Sequence, residues 1–287
     1  MDITFPTSNK LKISISINTC LLLFSLTFSG VGCQTTDNYK PDERVMLNKH
    51  LDLIRNKIDN GDAKNAVGDL KTLLARFPNE YRVYDLYGLA NLSLGNNAGA
   101  LRFFKKSYEI NNRIVTGLNL SSALIANNKF QESIALLKDL IKSEEFKEYR
   151  YKERFFHNLG FSNASLKNFP LAEMWYKRAT EHNPIYSPSY LELGRIYLAT
   201  GRSSDAFTAF KKSSDYCETC LEPLEEQARI LTSKGKVSSA FKLINDYTRL
   251  ENITEGDRRR ASKLLTALSS KSQTAPAKHA KRYHIIK

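Results

Sequence analysis

Two cysteines three residues apart, in Cys217-Glu218-Thr219-Cys220, are the side chains whose spacing points most directly to chemistry. Such a pair can close a local disulfide, remain as thiols, or supply half of a tetrahedral metal site. A metal would need a second ligand pair, and the five histidines, at 50, 157, 182, 279 and 284, do not cluster at ligand spacing. A redox dithiol depends on a βαβ setting that the flanking sequence lacks. The chain has no His-Glu-x-x-His, no glycine-rich phosphate loop and no Gly-x-Ser-x-Gly elbow. The expectation is therefore a binding protein and not an enzyme, with no catalytic residue, cofactor, metal or small-molecule substrate. Nothing resembles a nucleic-acid module, and the net charge of +13 is spread along the whole chain, as on a soluble basic surface.

Which state the cysteine pair takes depends on where the chain resides. Residues 1–32 carry Lys10 and Lys12, then an apolar run through Ile13, Ile15, Leu21, Leu22, Leu23, Phe24 and Leu26, then small residues. This reads as a secretory signal, because Asn18 and Thr19 interrupt the run before it reaches the about 20 apolar residues of a membrane helix. Gly30-Val31-Gly32-Cys33 resembles the lipobox of bacterial lipoproteins. That resemblance implies an acylated Cys33, an effectively permanent lipid anchor and, with Gln34 following where inner-membrane members carry aspartate, the periplasmic face of the outer membrane. The alternative is an ordinary cleaved signal and a soluble periplasmic protein. With Cys20 lost and Cys33 lipidated, Cys217 and Cys220 are the remaining thiols, and an oxidising periplasm favours a disulfide between them over free thiols or metal. Residues 33–46 are polar at their start, carry one proline and read as a tether.

The elements that position these residues come from a repeat. Leu159-Gly160, Ala172 and Tyr176 recur 34 residues later as Leu193-Gly194, Ala206 and Phe210, the period and residue types of a tetratricopeptide array of helix pairs. The frame gives six units over residues 47–254, beginning near 47, 81, 114, 153, 187 and 221. A small residue recurs in every second helix: Ala66, Ala100, Ser133, Ala172, Ala206 and Ala240. Large apolar residues follow at Leu70, Phe104, Leu137, Tyr176, Phe210 and Ile244. The first helices carry Gly88, Ser121, Gly160, Gly194 and Ala228 where paired helices should cross closely, with Ile54 the exception. Glycines 61, 95, 201 and 235 mark four of the six turns inside the units. The predicted fold is all-α, a tetratricopeptide-repeat superhelix of six helix pairs. A capping helix over 255–269 follows, then a basic flexible tail over 270–287. The one irregular spacing falls at Lys142 to Tyr151, where a longer loop or helix end is expected.

In such arrays the second, fifth, ninth and twelfth positions of each unit line the concave face. They yield an apolar stripe of Leu51, Leu89, Leu92, Leu118, Ile125, His157, Phe161 and Leu191. Arg55, Arg154 and Arg195 stand among them. This partner groove suits an amphipathic helix or extended segment bearing acidic residues.

Six units behind a lipobox and tether, with the aromatic and arginine-containing run Tyr149 to Gly160 entering the fourth unit, resemble the PilF/PilW/Tgl family of type IV pilus pilotins. The resemblance covers residues 33 to about 252. It implies an outer-membrane lipoprotein that binds secretin subunits and assists their localisation and assembly. The alternative is a tetratricopeptide lipoprotein that scaffolds peptidoglycan enzymes or another envelope machine, such as the tight-adherence pilus, so the expected partner is a secretin or other envelope protein segment.

Overall fold

The computed structural model describes residues 40–274, with side chains as far as 270. The expected signal, the lipidation site Cys33 and the end of the basic tail lie outside the described residues. From Val45 onward the helical array belongs to one compact unit.

Fourteen helices form among the described residues. A tight turn joins α1 (Pro41–Asp59) to α2 (Ala63–Arg76), α3 (Tyr81–Ser93) to α4 (Asn97–Ile110), and α5 (Ile114–Ala126) to α6 (Phe130–Leu140). After the one-turn α7 (Glu144–Glu148) come α8 (Lys152–Ser165) with α9 (Phe169–His182), α10 (Ser187–Ala199) with α11 (Ser203–Tyr216), and α12 (Leu221–Ser233) with α13 (Val237–Thr248). The last helix, α14 (Glu255–Thr274), packs on α13. This is the all-helical tetratricopeptide-repeat superhelix.

The small and large positions of the second helices explain the stacking. Ala66, Ala100, Ser133, Ala172, Ala206 and Ala240 are all completely buried, and so are the large residues four further on, from Leu70 to Ile244. The small side chains let the helices of a pair approach, and the large ones fill the space this leaves towards the neighbouring unit. Each of the six turns uses a left-handed residue. Gly61, Gly95, Gly201 and Gly235 have φ of 73–81°, while Asn128 (φ 58°) and Lys167 (φ 61°) serve the third and fourth units. The amide that follows each of them donates back five residues, as from Asp62 to the Lys57 carbonyl at 2.8 Å and from Lys236 to the Leu231 carbonyl at 2.8 Å. That is the hydrogen bond that closes a helix end on a left-handed residue.

Two element ends differ from expectation. Helix α1 starts at Pro41, inside the expected tether, because proline suits the first helical position and Asp42 and Glu43 complement the helix dipole there. Helix α14 runs beyond 269 to Thr274, since the polar residues from 270 contain no helix breaker before Pro276. Its inner face, with Ala261 and Leu268, closes the apolar layer of Leu221, Ala228, Ala240 and Ile244. Arg258 donates to the Leu250 carbonyl at 3.0 Å and so ties the cap to the end of α13.

The irregular junction is built rather than loose. Ser143 Oγ accepts from the Phe146 amide at 3.2 Å, which starts α7, and Phe146 inserts into a core with Ile114, Leu118, Phe155 and Trp175. Glu145 of the same turn accepts from Arg113 Nε at 2.8 Å and from the Ile114 amide at 3.2 Å. An inserted turn therefore caps the first helix of the preceding unit.

Candidate functional site

The first helices α1, α3, α5, α8, α10 and α12 present the face on which a partner groove was expected. Neighbouring units are cross-linked along it. Arg82 reaches back from α3 to Asn48 of α1 at 2.7 Å, and Asn158 of α8 donates to Ser121 and Ser122 of α5 at 2.9 and 3.1 Å. Arg195 of α10 is ion-paired both to Glu192 on its own helix and to Glu222 on α12.

The predicted groove residues separate into three groups. Leu51 and Leu118 are corrections: they are 7% and 1% exposed, and Leu118 lies in the core with Leu137, Phe155 and Leu159. Both are buried and offer a partner almost no surface. Leu89, Leu92, Ile125, Phe161 and Leu191 are half-buried. Leu89 and Leu92 lean on Phe104 and Leu120, Phe161 on Tyr176 and Leu193, and Leu191 on Phe210 and Ile230, so each shows one edge to the face. Arg55 and Arg154 are exposed, and Arg195 is half-buried within its ion pairs.

His157 is half-buried as well. Its Nδ1 stands 3.0 Å from Ser189 Oγ, and its ring lies 5.4 Å from that of Tyr176 and 5.6 Å from that of Tyr186. Burial lowers its pKa from 6.5 to about 4, so the imidazole is neutral at physiological pH and serves as packing between the fourth and fifth units.

Acidic groups on this face escaped the sequence reading. Asp85 of α3 is buried, and desolvation raises its carboxyl pKa, opposed by Ser107, Asn119 and the nearby charge of Arg55. Burial likewise raises Glu192, with Arg195 opposing. Glu225 is bound by Arg260 of the cap at 2.7 Å. Asp85 occupies a groove-lining position in the second unit's frame, so position alone could have found it.

Cys217 and Cys220 are joined as a disulfide with Cα atoms 5.3 Å apart, in the turn between α11 and α12. Tyr247 of α13 donates to the Thr219 carbonyl inside this loop at 2.8 Å, so the pair stiffens a junction. Among the described residues no cluster of three metal-ligating side chains occurs, and no helix is long and apolar enough to cross a membrane. An open cleft of 380 Å³ lies between α1 and α2, lined by Met46, His50, Leu53, Thr72 and Arg76.

Residues 51–112 match the tetratricopeptide-repeat family. No curated protein matches the sequence. Among solved structures, the chain is similar to PilW, a widely conserved type IV pilus biogenesis factor, with a TM-score of 0.63 and 20% identity over 76% of this chain and 98% of that one. It is also similar to PilF of Pseudomonas aeruginosa, with a TM-score of 0.60 and 13% identity over 78% of this chain and 99% of that one. A thermophilic tetratricopeptide-repeat protein of Thermus thermophilus aligns with a TM-score of 0.54 and 18% identity over 65% of this chain and 100% of that one. At these identities the likeness is one of fold, and the fold is one whose stacked helix pairs mediate protein–protein interaction.

Proposed function

We propose that this protein is an outer-membrane lipoprotein, anchored through Cys33, whose array binds secretin subunits and assists their localisation and assembly for type IV pilus biogenesis. The observation that carries the reading is the likeness to PilW along 98% of that chain. A generic two- or three-unit tetratricopeptide module would align with only part of it. The array supports binding because its conspicuous residues are absorbed by packing, while a face of half-buried leucines and arginines remains. No covalent step is required of any side chain described.

Heat-resistant secretin multimers in a deletion strain test the proposal. Their loss, restored by the wild-type chain, is expected. Unchanged multimers with normal pili would remove the secretin reading. Separately, Cys33→Ala should give a folded protein absent from the outer-membrane fraction, and its continued presence there would remove the lipid anchor.

A further inference from the structure

The turns that join successive units differ in what holds them. Three of them have four residues, counted from the residue that closes one helix to the residue that opens the next: 77–80, 183–186 and 217–220. In the first, Phe77 is 1% exposed and Glu80 is held by Arg82 at 2.7 Å. In the second, Asn183 donates to Glu153 at 3.3 Å, and the Tyr186 ring packs 5.6 Å from that of His157. Burial, a hydrogen bond or an ion pair thus fixes both ends of each.

The third turn is held differently. Cys217 and Cys220 are half-buried, with exposed Glu218 and Thr219 between them. The disulfide is the only bond that either cysteine side chain makes among the described residues. The backbone is looser too. The amides of Phe77 and Asn183 donate to the carbonyls four residues back at 2.8 and 2.9 Å, whereas that of Cys217 reaches only three back, to Ser214, at 3.3 Å. A cross-link over so short a loop constrains the unfolded chain least, so as a permanent staple it contributes little. Its role is local: it stands in for the side-chain ties of the other two turns.

Much of the sixth unit is positioned from this turn. Two residues past Cys220, Glu222 carries the ion pair to Arg195 that links α12 to α10. Inside the loop, the Thr219 carbonyl accepts from Tyr247 of α13 at 2.8 Å. Leu221, next to Cys220, lies in the apolar layer shared with α13 and α14.

We infer that the disulfide between Cys217 and Cys220 is a redox-sensitive latch on the sixth unit. Oxidised, it holds α12, α13 and the cap against the fifth unit; reduced by a dithiol, it lets them open locally. A thiolate of the dithiol attacks one protein sulfur, and the other leaves as a thiolate that takes up a proton. The second thiol of the reductant then displaces the protein sulfur from the mixed disulfide. Two electrons and two protons pass to the cysteine pair, and the reductant departs as its own disulfide. The exposed residues between the cysteines give a reductant access in the folded protein. The latch does not depend on the partner being a secretin.

The test uses the purified chain with Cys20→Ser and Cys33→Ser, so that the pair holds its only thiols, and dithiothreitol as the dithiol. Without denaturant, dithiothreitol should release two thiols at a rate within about tenfold of that in urea, and a bond that opens only in urea overturns the inference. In the reduced chain, hydrogen exchange should be about tenfold or more faster in α12, α13 and α14 and unchanged in α1 to α9, and reoxidation should restore it. Cys217→Ser/Cys220→Ser should give the reduced pattern with no dithiothreitol present. Exchange unaltered by reduction, or accelerated equally in every helix, also overturns the inference, because the bond would then be inert or a staple of the whole array. None of these outcomes bears on the secretin multimers, so the latch and the proposed function fail separately.

Discussion

The second, fourth and fifth units solve the packing problem differently from the first, third and sixth. In the former, glycine in the first helix faces an aromatic ring sixteen residues on: Gly88 and Phe104, Gly160 and Tyr176, Gly194 and Phe210. A Cβ on Gly88 or Gly160 would stand 2.6 Å from that ring, and on Gly194 it would be closer still. Three residues after the ring comes a small buried residue: Ser107, Ala179 or Ser213. In the latter units the glycine is replaced by Ile54, Ser121 or Ala228, the ring by Leu70, Leu137 or Ile244, and the small residue by Leu73, Leu140 or Tyr247. Volume removed at one position returns at another. In the third unit the returning Leu140 lies where a Cβ on Gly117 would stand 2.5 Å away, and the second, fourth and fifth units have Tyr84, Phe156 and Tyr190 at that place. The repeat thus conserves filled space, not residue type, as close packing demands.

The largest expected effect comes from emptying a ring site. Phe210→Ala should cost about 3–5 kcal/mol in a urea melt, since the ring is fully buried and its glycine partner cannot refill the cavity. A cost below about 1 kcal/mol would mean that the ring is not the unit's filler.

Next is a pH effect confined to the fourth unit, where a histidine packs beside the ring. Burial holds the His157 pKa near 4 rather than 6.5, so protonation favours unfolding. Its stabilising contribution is complete above pH 6.5 and is lost as pH falls from there through about 4. Thermal melts should show that loss, and His157→Gln should flatten it. An identical slope in the variant would assign the titration elsewhere.

Turn glycines should give a smaller effect. Gly201→Ala forces a Cβ into the left-handed region at φ 78° and should cost about 1–2 kcal/mol. Lys167→Gly, at φ 61°, should instead be stabilising. Equal signs for the two would contradict the turn assignment.

Smallest is Gly68→Ala in α2, where an added Cβ meets nothing within 4 Å. Helix propensity alone should then stabilise by about 0.5–1 kcal/mol. A destabilised Gly68→Ala would show that glycine in these helices is not explained by crossing contacts.

The repeat was legible because its period, its small positions and four of its turns rest on residue types with few substitutes. Asn128 and Lys167 were not legible as turn residues. Asparagine tolerates left-handed backbone only moderately and lysine carries no such signal, so the closing hydrogen bond from the next amide imposes the conformation. The inserted α7 was visible as irregular spacing, but its capping of α5 needed Glu145 brought next to Ile114. The groove was least legible. A periodic position puts a residue on the rim between face and core, and it took the neighbouring helices to show that Leu118 turns inward and Leu89 does not. His157 falls on the concave side by frame, and Tyr186, just ahead of α10, packs edge-on against its ring.

A double-mutant cycle on Gly194 and Phe210 tests the matching of sizes most directly. Gly194→Ala alone should destabilise by about 1–3 kcal/mol of overpacking, less the roughly 1 kcal/mol that alanine gains in helix propensity. In the Phe210→Ile background, which imitates the sixth unit, the same change should become neutral or stabilising, a coupling of at least about 1 kcal/mol. Equal effects of Gly194→Ala in both backgrounds would contradict the claim that each first helix is cut to fit the side chain sixteen residues further on.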